Sequence, residues 1–163
     1  ICRYDHDCIY NGLPTRVKLH MLAKEGIIRE SEFDEIENLK QEATLEVIEE
    51  LCVLDCSKIS LMSLLRDRGY KIGCVTNSIQ KTAERMLKKS GVLPFMNCLI
   101  SNQDVTNSKP HPEGYITAMV MLNSLPSNTI IVEDSEKGLQ AARQTGARVV
   151  QVKNAKEVTR DLI

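Results

Sequence analysis

Apolar and polar positions follow two different rhythms along this chain, and the change falls near residue 53. In the front part apolar residues recur at spacings of three and four. Phe33, Ile36, Leu39, Ala43, Val47 and Leu51 share one face of a helix predicted over 31–52. Ser31 followed by Asp34 resembles a capping box with a shortened acid. Upstream, Gly12-Leu13-Pro14-Thr15 reads as a turn into another helix, with Thr15 as its cap and Val17, Leu19, Met21 and Leu22 on a mixed apolar face. No strand pattern is visible in 1–53. Further on, short apolar runs alternate with helical stretches. Strands are predicted over 71–76, 98–101, 129–133 and 147–152, and helices over 79–90, 112–123 and 137–145, with Gly91 and Gly146 as stops. Strands that alternate with helices predict an α/β unit, 54–163, whose parallel sheet carries helices on both faces. An all-helical unit, 1–53, precedes it.

Composition narrows the class. A length of 163 residues with 42% hydrophobic positions is enough to bury a core without disulfides or metal staples. The formal net charge is -1 and aromatic residues make up 4%, so neither a basic footprint nor a base-stacking surface for nucleic acid is present. The same balance argues against an anionic membrane surface, and no apolar run is long enough to span a bilayer. None of the six cysteines (Cys2, Cys8, Cys52, Cys56, Cys74, Cys98) forms a CxxC pair. Cys74 and Cys98 lie inside apolar runs and read as buried reduced thiols, which favours a reducing cytoplasm.

Chemistry is sought where parallel sheets hold ligands, beyond the carboxyl ends of the strands. There the chain places Thr76-Asn77-Ser78, then Ser101-Asn102-Gln103-Asp104 with the loop Ser108-Lys109-Pro110, then Glu133-Asp134-Ser135. Taken singly these are ordinary: a strand-end hydroxyl, a solvated lysine, and acids at a helix N-terminus. Taken together they supply a hydroxyl with backbone N–H donors for phosphoryl oxygens, an ammonium to offset charge, and paired carboxylates as hard oxygen ligands for Mg²⁺. Phosphoryl transfer depends above all on that kind of positioning and charge neutralisation.

The same segments resemble the haloacid dehalogenase-type (HAD) hydrolases. Val75-Thr76-Asn77-Ser78 resembles that family's second motif. Ser108-Lys109-Pro110-His111-Pro112-Glu113-Gly114-Tyr115 resembles its lysine loop, and Ile130-Ile131-Val132-Glu133-Asp134-Ser135-Glu136-Lys137-Gly138 its acidic motif. The front third resembles the helical cap of the beta-phosphoglucomutase-like branch, with Gly12–Leu19 where that cap carries substrate-recognition residues. The resemblance implies a Rossmann-like core with a small helical cap. It implies that Thr76 and Asn77 bind phosphate, with Thr76 holding the transferring group, that Lys109 stabilises charge, and that Asp134 ligates Mg²⁺ while Glu133 ligates or orients it. It offers Arg16 and Lys18 as grips on the distal part of a substrate. The expected function is a Mg²⁺-dependent phosphatase acting on a small phosphorylated metabolite through an aspartyl-phosphate, as a monomer or weak dimer in the cytoplasm. A phosphosugar mutase and a non-catalytic phosphate-binding or regulatory module are the alternatives. A phosphoacceptor receiver domain would order its residues acid, Thr, Lys; here the order is Thr, Lys, acid.

One departure stands out. The family's first motif, an apolar strand ending in DxDG that carries the nucleophile, is absent. Asp5-His6-Asp7 has the spacing, but Ile1-Cys2-Arg3-Tyr4 is too short and polar for a buried strand, and a solvated acidic turn is the preferred reading. In the family that strand lies mid-sheet, between the strands ending here at Thr76 and Glu133. The natural protein is therefore expected to be longer at its N-terminus by one strand and about one helix, and this chain alone to be inactive.

Overall fold

The computed structural model describes residues 9–10 and 13–162. The Asp5-His6-Asp7 turn, Gly12, Cys2 and Cys8 lie outside the described residues. In chain order the elements are α1 (Thr15–Lys24), α2 (Phe33–Leu51), α3 (Cys56–Asp67), β1 (Gly73–Val75), α4 (Gln80–Lys89), β2 (Cys98–Ile100), α5 (Glu113–Met121), β3 (Ile130–Glu133), α6 (Glu136–Arg143) and β4 (Arg148–Gln151). No described helix is long and apolar enough to cross a membrane.

The helical starts differ from the sequence reading in instructive ways. Thr15 is the first helical residue of α1 and caps nothing; Pro14 holds the N-cap position with no side-chain bond. Proline's fixed φ presets the helical entry without a hydroxyl. Before α2 the capping partner is Glu32 rather than Ser31. A short 3-10 turn, Glu30–Glu32, precedes the helix, and the Glu32 carboxylate accepts from the Arg29 backbone N–H at 2.7 Å. The longer acid reaches back across the turn, which Ser31, inside it, does not. Helix α3 was not anticipated. Its signals are a cap at Asp55, whose carboxylate accepts from Lys58 N–H at 3.0 Å, and buried Leu61 and Leu65 at helical spacing.

The four expected strands all form, and all pair in parallel. They form two separate ladders: β1 with β2, where Val75 faces Ile100, and β3 with β4, where Glu133 faces Gln151. The inner edges of β1 and β3 are not paired with each other. Both border a cavity of about 1490 Å³, lined among others by Cys74, Val75, Tyr115, Ile131 and Val132. Around the β3–β4 ladder, Tyr115, Ile131, Ala141 and Ala142 form one buried cluster, joined by Val75. Cys98, Ile100 and Ala118 form a second beside β2, and Val75 touches it too. Burial pushes the Cys74 and Cys98 thiols up, away from reactive thiolates. The helical front rests on the α/β part through α2 and α4: Thr82 donates to Gln41 at 2.9 Å, and Glu49 pairs with Arg85 and with Lys89 at 3.0 Å.

Candidate functional site

The site forms where β1 and β3 end. Thr76 continues the β1 ladder, its N–H donating to Ile100 carbonyl at 2.8 Å. Its hydroxyl accepts from Ser78 N–H at 3.1 Å, a hydroxyl turn that bends the chain away from the sheet. Asn77 then grips the lysine loop by its backbone. Its Nδ2 donates to Lys109 carbonyl and its Oδ1 accepts from Lys109 N–H, both at 3.1 Å. The loop is braced from its other side by Glu113, whose carboxylate accepts from Thr106 N–H at 2.7 Å and from Asn107 N–H and Nδ2 at 2.9 Å. These bonds hold the Glu113 carboxyl below its ordinary range.

So braced, Lys109 turns inward. Its Nζ donates to Val75 carbonyl at 3.0 Å and to Glu133 Oε2 at 2.8 Å, with side chains only 12% and 8% exposed. Glu133 is the most heavily bonded group of the site. Oε2 also accepts from Tyr115 hydroxyl at 2.5 Å. Oε1 accepts from Asp134 N–H, Ser135 N–H and Ser135 hydroxyl, each at 2.9 Å. Burial by itself would raise the Glu133 carboxyl, but the donors led by Lys109 and Tyr115 outweigh it and hold the group ionised well below the usual carboxylate range. Burial first, and then that carboxylate, push the Tyr115 phenol far up, so it stays a donor. Gly138 explains how so much fits: a Cβ there would fall inside the Glu133 carboxylate, so only glycine lets α6 start this close. Its N–H also caps the helix by donating to Ser135 Oγ at 3.1 Å.

Asp134 behaves differently from its neighbour. Solvent reaches it, yet partial burial and then the adjacent Glu133 carboxylate push its carboxyl up. No cluster of three or more potential metal-ligating side chains occurs among the described residues. Mg²⁺ commonly takes one or two carboxylates and completes its shell with water and phosphate oxygens, so one exposed aspartate braced by a saturated glutamate is compatible chemistry. Of the two acids, Asp134 could offer carboxylate oxygens to a cation, whereas both Glu133 oxygens are already taken by donors.

The structure thus brings Asn77, Lys109, Glu133 and Asp134 together, with Thr76 at the adjoining strand end. It does not bring Arg16 in. That guanidinium is exposed, bonded to Asp34 and Glu37 at 2.7 Å each, and lies 5.4 Å from the Phe33 ring centre. Lys18, half-buried, is lowered by burial first and then by Lys40 and Lys137. Tyr115 and Gly138 were missed as contributors. For Tyr115 and Gly138 the only sequence signal was their place in the motif segments. Beside the lysine loop a second cavity of about 590 Å³ opens between Leu13, Pro14 and Val17 on one side and Ser108–His111 with Gln140 and Gln144 on the other.

A family model described as haloacid dehalogenase-like hydrolase matches residues 10–152. Pyrophosphatase PpaX of Bacillus pumilus is 35% identical over 108 residues, 66% of this chain and 48% of that protein. Validoxylamine A 7'-phosphate phosphatase of Streptomyces hygroscopicus is 38% identical over 88 residues, 54% of this chain and 41% of that protein. The chain spans about half the length of these curated relatives or less. In fold it is similar to a beta-phosphoglucomutase from Clostridium difficile (TM-score 0.75, 24% identity, covering 90% of this chain and 68% of that one). It is also similar to a HAD hydrolase from Entamoeba histolytica (TM-score 0.77, 19% identity, covering 99% and 72%).

Proposed function

Because this chain belongs to the haloacid dehalogenase-like hydrolase family, we propose that its protein is a Mg²⁺-dependent phosphatase of small phosphorylated metabolites. One observation carries the reading. A lysine ammonium is buried against a strand-end carbonyl and a saturated glutamate, next to an exposed aspartate of raised carboxyl. In this reading Thr76 hydroxyl holds a phosphoryl oxygen, and Lys109 offsets the charge of the group. Asn77 acts one step back, keeping the lysine loop against β1. Asp134 would hold Mg²⁺, which supplies further charge neutralisation when bound. The reading requires a nucleophilic aspartate outside the described residues, and the slot between the unpaired edges of β1 and β3 is where a strand carrying it fits. Its carboxylate displaces the ester's alcohol to form an aspartyl-phosphate, and water then attacks that phosphorus, freeing the aspartate and inorganic phosphate. These residues alone bind phosphate and metal without turnover.

The relatives' names, a pyrophosphatase and a 7'-phosphate phosphatase, favour water over a second sugar hydroxyl as the acceptor. Lys18, a lysine of the helical front, favours substrates whose distal part is anionic. The reading extends to a cytoplasmic monomer or weak dimer. The test is phosphate release from a panel of sugar phosphates, pyrophosphate and p-nitrophenyl phosphate by the intact natural protein, with and without Mg²⁺. Release that needs Mg²⁺ and is lost in Lys109→Ala and in Asp134→Asn supports the proposal. Absence of release from every ester of the panel sinks it.

A further inference from the structure

Resting on that reading of the site, we propose that Tyr115 is a positioning residue that fixes the Lys109 ammonium between the Val75 carbonyl and the Glu133 carboxylate. A lysine reaches its target through four rotatable bonds, and a bare ammonium has no preferred direction for its three donors. Two of those donors are taken here, by Val75 carbonyl at 3.0 Å and Glu133 Oε2 at 2.8 Å. Among the described residues no partner takes the third, which leaves one N–H for an incoming anion. What stops the head from swinging is Tyr115, 7% exposed, six residues further along the chain on α5. Its ring centre lies 4.9 Å from Nζ, within the range of a cation–π contact. Its hydroxyl donates at 2.5 Å to the same Oε2 that receives the ammonium. The ring therefore limits where the ammonium goes, and the hydroxyl limits where the ammonium's acceptor goes. Phenylalanine would keep the ring and the packing against Ile131 and Ala141 but leave Oε2 free to turn about the bonds at Oε1.

The experiment separates positioning from packing. Intact protein labelled with ¹⁵N-lysine is examined for the Lys109 ammonium ¹H–¹⁵N signal, which survives solvent exchange only when the ammonium is held; Lys109→Arg assigns it. Tyr115→Phe is compared with Ile131→Val, which trims the same core cluster without touching Lys109 or Glu133. Turnover of p-nitrophenyl phosphate with Mg²⁺ is measured alongside. The expected result is a signal present in the wild type and in Ile131→Val and absent in Tyr115→Phe. With it comes a fall in kcat of about ten-fold or more, the loss of one hydrogen bond to a charged group, at unchanged KM. The proposal is overturned by a signal that persists in Tyr115→Phe, disappears equally in Ile131→Val, or is missing from the wild type. A kcat unmoved by Tyr115→Phe overturns it as well. Should the wild type turn over no phosphate ester while the signals follow the expected pattern, the phosphatase reading fails and the positioning role stands.

Discussion

Two ion pairs tie separate parts of this molecule together, and they differ in almost everything but sign. Glu49 joins Arg85 and Lys89 across the α2–α4 contact, with all three side chains about a third to two fifths exposed. Lys109 and Glu133 meet beneath the strand ends, 12% and 8% exposed. The first pair keeps its water when broken. The second has exchanged water for Val75 carbonyl, a phenol, two backbone N–H groups and a serine hydroxyl. Surface pairs contribute little because solvent competes for both partners, whereas breaking a buried pair strands a charge that nothing else solvates. The buried pair is thus the one the fold is organised to keep, and its cost in desolvation is most easily understood as the cost of a working site.

The strongest way to break the comparison is Lys109→Met. Glu133 would then keep its burial without its cation, and unfolding free energy should fall by about 3–5 kcal/mol, read from urea titration at pH 7. A loss below about 1 kcal/mol would mean that water already reaches the pair. Gly138→Ala comes next. Its Cβ must displace the Glu133 carboxylate or the start of α6, so a loss of about 1–3 kcal/mol is expected, against a gain at an ordinary helical glycine.

The pH dependence is smaller and has a definite sign. The folded Glu133 carboxyl lies below its unfolded value of about 4.3, so its contribution is complete above that pH and is lost as pH falls toward the folded value. Glu32, Asp55, Asp104 and Glu113 are lowered too and act in the same direction. The difference between wild type and Lys109→Met therefore isolates the pair. Without its cation the buried Glu133 carboxyl of the variant is raised, so the difference should shrink on acidification from pH 7, and a difference that grew on acidification would refute the assignment. At the far end, Arg85→Ala should leave the thermal midpoint within measurement error. A clear drop would show that the α2–α4 contact depends on charge more than on the Thr82–Gln41 bond and its packing.

Much of this was legible in advance because it is local. The strand runs over 98–101 and 129–133 are short, apolar and bounded by turns, and each formed within a residue of its expected limits. Helix α3 escaped because its apolar positions are interrupted by serines, so the Asp55 cap was the stronger signal. The motif segments located Lys109, Glu133 and Asp134 at strand ends but not their division of labour. The resemblance left Glu133 as ligand or orienter; its burial and five donors, against the solvent around Asp134, favour the orienting role. Likewise Arg16 and Lys18 are two residues apart on one helix, and their different surroundings come from Asp34 and Glu37 on one side and Lys40 and Lys137 on the other.

What the sequence determined by itself was the order of elements, their parallel pairing in an α/β core, and which residue types stand at the strand ends. Those follow from periodicity, turn residues and short-range sterics, which act within a few positions of the chain. The open slot between β1 and β3 was already implied by the family resemblance. Only the tertiary structure decided that Tyr115 lies beneath the lysine and that Gly138 makes room for a carboxylate five residues earlier. These depend on distances between segments far apart in sequence or on the close approach of a turn to a helix. Hydrogen-bond saturation and desolvation, which set the charge and role of each group, come into being only when those segments meet.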